Sequence, residues 1–583
     1  MINVDSAYRN ACDDPNRVSY VIAKYGLYNK EAKGDISNVE GNSQKFSNVN
    51  KTYNEIKDTN FNYISCEPNR VKLNGSFYFV NNKNKENVNE NIAYWSDKLS
   101  NEQGLFVGGN PKIIYIMSTE VELSDLTLYF QELCSEFKVT YYLNNVVVAT
   151  KHVTNNTFLV PSTEGASAVS ETKFNKLEIE FIKTGEPYRY IKFNEIDFGT
   201  INKFDSRDIL DFDIIDELSN DSSELSSNSL NLRVRSENGE FDILNPNNKL
   251  KLLQEKQEIT IHYYLKVGQA FREVPLGTFL LKKFSLDKDS LNIEAYDDTY
   301  FMNQLYYGSK FYNNVEITTI LKDLFNYFNY TNYDIDKELT GIKLTGYIPI
   351  VEMREALRII VEAGGCVVSK TRYGITKIFK TYDSTTKVFN RRLIFTESPQ
   401  RNLFNNSIDM VKYSYDNVIE NHEVYKADIE KPKDNIIIQF SDYPILEGTL
   451  EKAEISNDYD IVKSYATSCI INVKKPNTRV ILKASYVKPT RIVISKRKSK
   501  VIGIEDYAIS KVDNTLITES NVDSVAEWKL SRSEIRYVFD TPVVPYIEVG
   551  DTCKYETKYN TTNNFIVTRA EFGKSIIQNM EGE

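Results

Sequence analysis

Histidine is almost absent: His152, His262 and His422 are the only three in 583 residues. Each sits in or near a strand-like segment without an HExxH or HxH companion, which removes most triad and metalloenzyme readings. The six cysteines, Cys12, Cys66, Cys134, Cys366, Cys469 and Cys553, are scattered singly. With no CxxC and no ligand-like spacing to a histidine, neither a disulfide framework nor a zinc site is expected. Positive charge is in deficit: 71 Lys and Arg against 81 Asp and Glu leave a formal net charge of −10. That argues against an extended nucleic-acid groove, which needs clustered cations to displace phosphate counterions. The densest basic run, Lys496-Arg497-Lys498-Ser499-Lys500, lies between the apolar runs RIVI and VIGI and reads as the solvated cap of a hairpin. No aromatic residue interrupts it for base stacking.

Other signatures are missing too. No GxSxG elbow and no GxxxxGK[ST] loop occurs, and the glycine pairs Gly108-Gly109 and Gly364-Gly365 fit turns. No run approaches the length of a membrane span. The opening MINVDSAYRNACDDPNR lacks the basic and then apolar profile of a secretory signal, so synthesis and folding in a cytoplasm are expected. No catalytic residue, cofactor site or metal ligand is assigned.

What is present is strand-forming. The chain is 41% hydrophobic and 26% charged, with 39 tyrosines and 30 phenylalanines, the composition of a folded β-rich protein of several domains. Residues 1–59 are polar, with one apolar island, SYVIAKYGLY, and read as an arm followed by a linker. Over 60–200 the segments LTLYFQ, FKVTYYL, NVVVAT, KLEIEFIK and YRYIKFNEIDFG alternate with period two. Asn144-Asn145 between two of them is a hairpin signal, and the whole suggests an antiparallel two-sheet sandwich. A second β unit at 201–305 holds DILDFDII, LNLRV, EITIHYYL, TFLLKKFSL and LNIEAYDD, with turns at Glu237-Asn238-Gly239 and Asn245-Pro246.

Helical periodicity first appears in an α+β module at 306–400. In VEITTILKDLFNYF the apolar stripe is Ile317, Ile320, Leu321, Leu324, Phe325 and Phe328. In VEMREALRIIVEAGGCVV it is Met353, Ala356, Leu357, Ile360 and Ala363, with Arg354, Glu355, Arg358 and Glu362 mostly outside it. Arg358 and Glu362 are spaced for an i,i+4 pair. Gly364-Gly365 ends that helix, and a hairpin around Tyr373-Gly374 follows. Cys366 has no histidine nearby in sequence to activate it and reads as a small buried residue. The region 401–583 is again mainly strands, with one helix at about 520–534 that Ser520 or Asn521 would cap. The acidic clusters Asp211 to Glu217 and Tyr296 to Asp298 lack the ligand spacing and glycine of a calcium loop. A glycosidase pair among the carboxylates is not excluded by sequence.

Four stretches, in order, carry a family resemblance: SLNLRVRSENGEFDILNP with VPLGTFLLKKFSLD and IEAYDD; GYIPIVEMREALRIIVEAGGCVV; PYIEVGDTCKYE; and FIVTRAEFGKSIIQNMEGE. From about Asp205 onward the chain resembles the hub and tail-associated proteins of phage-tail baseplates. The region before it, through ISCEPNRVKLNGSFYFV, IAYWSDKLS, FKVTYYLNN and YRYIKFNEIDFG, resembles a discoidin-like, galactose-binding-type sandwich.

The resemblance implies a mainly β chain in which tube-like β-barrel domains bracket the small α+β domain. It implies a non-enzymatic virion protein, assembled in the host cytoplasm, that forms a homotrimer and joins tail tube and tape-measure proteins to the spike or tip and to the peripheral baseplate. The pattern ends at the closing NMEGE, so an appended lysin or peptidase is not expected. Two alternatives stand beside it: an adhesin that takes host-surface saccharide through 60–200, with Trp95 in AYWSD as its stacking aromatic, and a tail-associated cell-wall hydrolase.

Overall fold

Period-two alternation becomes alternating burial wherever a strand has one wall toward a core. In Ser229–Arg235 and Glu258–Val267 every second side chain is buried, and in Ile209–Glu217 the same alternation runs from Phe212 to Asp216 after a register shift. The computed structural model describes residues 2–583 except 15, 29, 46, 54–64, 66, 70–92, 123–125, 162–172, 220, 237–254, 288, 381, 402–406, 455–456, 498–509, 532–534 and 575–576. The turns expected at Glu237-Asn238-Gly239 and Asn245-Pro246, most of ISCEPNRVKLNGSFYFV, and Lys498 to Lys500 lie outside the described residues. The chain is mainly β with a few short helices, as its composition predicts. The barrels expected on either side of the module are not found closed: among the described residues each sheet is open. No helix among them is long and apolar enough to cross a membrane.

The chain divides into two units, and the first comprises residues 1–23, 204–238 and 258–583. Its main antiparallel sheet draws on both ends of that span. Glu258–Val267, Ala270–Asp287, Ser290–Tyr296, Ser229–Arg235 and Ile209–Glu217 lie side by side. Ile209–Glu217 then pairs with Thr562–Gly573, matching Ile214 to Phe572, and Ile577–Gly582 and Ile535–Pro542 continue the sheet. The first and last β regions of the unit, more than 300 residues apart in sequence, therefore share one ladder. The amino-terminal residues, expected as a polar arm, belong to this unit as well. Ser6–Cys12 forms a helix capped by Asp5, and the Ile2 amide donates to Tyr546 O at 2.9 Å.

The α+β module packs on helices Ile317–Tyr327 and Met353–Gly364, whose expected stripes are buried. Gly365 ends the second helix with a left-handed φ of 62°, while the Cys366 amide bonds back to Val361 O. The core of this module is completed by chain that comes much later. Strands Ser407–Ser414 and Ser510–Thr518 and helix Val522–Leu530 add Ile408, Met410, Val512, Leu516, Val525 and Ala526 to the same cluster.

Glu362, read as lying mostly outside the apolar stripe, is consequently buried at 3% exposure. Its carboxylate is held by Arg358 at 2.9 Å, Lys529 at 2.8 Å and the Asn514 amide at 3.0 Å. Asn521 stands at the N-cap position of the last helix but makes no capping bond; its side chain instead donates to Ala363 O and Leu516 O and accepts from Thr518 N. Tertiary partners outcompete the local cap there. Between 418 and 487 a separate two-sheet element is inserted, with its own core of Val424, Ile438, Tyr459, Cys469, Ile471 and Leu482.

The second unit comprises 24–203 and 239–257. Its five-stranded antiparallel sheet runs Ile36–Gly41, Lys112–Glu122, Lys173–Thr184, Cys134–Leu143, Val146–Val153. A second set, Tyr94–Trp95, Lys192–Phe204 and Leu126–Phe130, faces it across Phe130, Phe137, Phe181 and Phe193. Asn144 and Asn145 carry φ of 51° and 66°, the left-handed pair that a tight hairpin turn demands.

Leu357 is fully buried between the two helices of the module. Leu357→Ala should cost about 2–5 kcal/mol, read as a lowered urea midpoint of the full chain, and Leu357→Asn should prevent the module from folding. Wild-type midpoints for either would contradict this packing.

Candidate functional site

Among the described residues, none that could carry chemistry forms a reactive cluster. His152 pairs with Glu136 at 3.0 Å, His262 with Glu273 at 2.6 Å and His422 with Asp442 at 3.5 Å, each on its own strand. The five described cysteines are buried and unbridged. Burial pushes the Cys366 thiol up to about 12, so the nucleophilic thiolate is disfavoured. Its carbonyl is used instead, accepting the Ser222 hydroxyl at 2.7 Å. Among the described residues no group of three or more His, Cys, Asp or Glu is placed to hold a metal ion.

Trp95 was the one aromatic singled out for sugar stacking, and it lies in the core of the second unit at 2% exposure. It pairs with Lys192 across strands, and the Lys192 ammonium sits 4.5 Å from its ring centroid. That ammonium is in turn held by Glu67 and Glu132, each at 2.6 Å. At that burial, with a buried ammonium locked over the ring, neither face of Trp95 is open to a saccharide. The AYWSD stretch alone leaves the orientation of Trp95 open, because the acids that close it in, Glu67 and Glu132, stand far from it in sequence.

The two acidic clusters have structural partners. Asp297 is buried and caps the short helix Asp298–Phe301 while accepting the Asn228 amide at 2.7 Å. Asp298 pairs with Lys370 at 2.5 Å and accepts the Tyr330 hydroxyl at 2.9 Å. Asp216, in DFDIIDE, meets Arg372, and this pair is the most elaborate polar junction in the first unit. Arg372 stands in the hairpin turn between Val367–Lys370 and Thr376–Phe379, 2% exposed. Its Nε donates to Asp216 Oδ2 at 3.1 Å, its Nη2 to Ile547 O at 2.7 Å and its Nη1 to Pro545 O. Its amide donates to Glu548 at 3.0 Å, its carbonyl accepts the Thr278 hydroxyl at 3.1 Å, and its guanidinium covers the Phe572 ring at 4.7 Å.

One side chain therefore fixes the module's hairpin to strand Ile209–Glu217, to the turn PVVPYIEVGD and to strand Thr562–Gly573. Nothing local announces Arg372, since TRYG is an ordinary hairpin turn and its partners are remote in sequence. The available signal was the turn PVVPYIEVGD, whose free carbonyls need a donor once buried.

Burial raises Asp216 to about 6, with a further push from the Glu548 and Asp297 carboxylates, although the Arg372 charge pulls it down. A carboxylate raised in the folded state holds its proton longer there than in the unfolded chain. Its stabilising contribution is complete below about 4 and is lost as pH rises through about 6.

No family model matches the chain, and no curated protein matches it. Solved structures do resemble it. The 43 kDa tail protein of prophage MuSo2 from Shewanella oneidensis shares 10% identity over 66% of this chain and 96% of that one, with a TM-score of 0.38. A tail protein from Neisseria meningitidis shares 8% over 66% and 93%, with a TM-score of 0.37. A prophage tail protein from Listeria monocytogenes shares 10% over 65% and 90%, with a TM-score of 0.33.

Arg372→Met should destabilise the first unit by about 3–5 kcal/mol, because it leaves Asp216 buried without a counter-charge. Adding Asp216→Leu should recover part of that loss. The stability of wild type minus that of the double variant should fall as pH rises from about 4 to 6. Urea unfolding across pH checks both; a flat difference, or a harmless single variant, would contradict the reading.

Proposed function

We propose that this chain is a structural, non-enzymatic component of a phage or phage-derived tail baseplate, a central hub joining the tail tube to the tip and peripheral baseplate. One observation carries the reading. The described residues of the stretches that bear the hub resemblance fall in one folded unit. SLNLRVR, VPLGTFLLKKFSLD and IEAY are adjacent strands, and FIVTRAEFG joins them through Ile209–Glu217. The hairpin that follows the helix of VEMREALRII is bound to that sheet and to the turn of PYIEVGD through the Arg372 junction. A motif scattered over more than half the chain is what a shared scaffold requires, and the side chains it brings together are ones that hold elements in place.

In this reading the hub is a homotrimer in the virion, in contact with tail-tube, tape-measure and spike proteins. The working domain boundaries are those at 60, 201, 306 and 401. The second unit, with its discoidin-like sequence, serves to dock or attach. Its exposed apolar residues Phe158, Leu159 and Val160 suit a protein contact.

The reading predicts a trimer. Light scattering of the purified chain over rising concentration, with negative-stain imaging, should give three copies in a ring. A chain that stays strictly monomeric at high concentration would count against it.

A further inference from the structure

A cleft of about 550 Å³ opens in the first unit between helix Ile317–Tyr327 and the inserted two-sheet element. Its size falls in the range of sites that hold small organic ligands, about 300–1,000 Å³. Its walls are tied to each other: the Ala466 amide donates to Ser309 O at 2.7 Å and the Ser468 hydroxyl to Tyr307 O at 3.1 Å. The cleft is therefore built in advance of any ligand.

Its lining has two characters. Phe311, Tyr327 and Tyr465 supply half-buried aromatic rings, with Tyr327 and Tyr465 edge to face at 6.1 Å and the exposed Lys463 ammonium 5.1 Å from the Tyr465 centroid, on a side chain free to swing aside. Around them stand hydrogen-bonding groups of every kind: the Asn326 amide, the Glu447 carboxylate, the Lys463 ammonium, and Asp323 paired with Lys310 at 3.0 Å. Behind Asp323 lie the buried tyrosines Tyr306 and Tyr312, whose hydroxyls face each other.

We propose that this cleft binds a saccharide. A sugar ring presents an apolar C–H face, suited to lie on aromatic rings, and a rim of hydroxyls that both donate and accept. A mixed lining of aromatics, amide, carboxylate and ammonium meets both needs. The main competitor is an extended peptide added to the open edge of Tyr459–Ser464, which borders the cleft. That edge breaks its register between Ile461 and Lys463 and carries a lysine there, and a bulge with a charge is what blunts strand addition. The site is independent of the hub reading and distinct from Trp95, which lies in the other unit.

The test uses the full chain on a glycan array of neutral, acidic and amino-sugar oligosaccharides, followed by calorimetric titration with the strongest binder. Tyr465→Ala should weaken binding at least tenfold, and Asn326→Ala severalfold, with thermal midpoints unchanged. Asn326 is exposed on the helix, so its variant remains informative if Tyr465→Ala does not fold. The proposal is overturned if the full chain binds no glycan, if it binds only an added peptide strand, or if folded variants bind as tightly as wild type.

Discussion

A guanidinium buried at 2% exposure is tolerated only when nearly every donor it carries finds an acceptor, and Arg372 makes this demand on the whole first unit. Asp216, Pro545, Ile547 and Phe572 must all be in place before the charge can leave water. The sheet that supplies them is itself assembled from strands at 209–217 and 562–573. The junction is thus the point where strand pairing, turn geometry and module docking become conditions on one another. The same logic holds one layer further out. Glu362 is buried only because Lys529 and Asn514 arrive to neutralise and bond it.

Seen this way, the first unit is a set of small cores fastened by buried ions at their seams. The helical module closes on Arg358, Glu362 and Lys529; its hairpin is bound by Lys370 to Asp298 and by Arg372 to Asp216. Apolar seams between separate cores tolerate sliding, whereas bidentate and multiply bonded ions fix a register. The inserted element at 418–487 keeps its own core and is attached at its base, which leaves the cleft beneath it open.

Local chemistry made much of the fold legible. Asn144-Asn145 marked a hairpin because few residues adopt left-handed φ without cost, and Gly365 ended its helix for the same reason. The stripes of Ile317–Tyr327 and Met353–Gly364 announced which faces are buried. Partner choice was not legible. Period two says that a strand has a wall and says nothing of which strand lies beside it, so the ladder joining Ile214 to Phe572 was invisible. The same limit hid the burial of Glu362, which lies outside the apolar stripe and is covered by a later segment. It also left open whether Trp95 faces solvent or core, which Lys192 and its two acids decide in favour of the core. Asn521 sat at the capping position, yet its amide serves Ala363 and Leu516 instead.

The central claim is that Arg372 makes hairpin, turn and split sheet a single cooperative body. Native-state hydrogen exchange read by mass spectrometry addresses it directly. The account predicts that peptides covering 209–217, 367–379 and 562–573 share one opening free energy in wild type, and that in Arg372→Met the hairpin 367–379 exchanges ahead of the two strands. If the hairpin already exchanges independently and faster in the wild-type protein, the junction does not hold the unit together and the account fails.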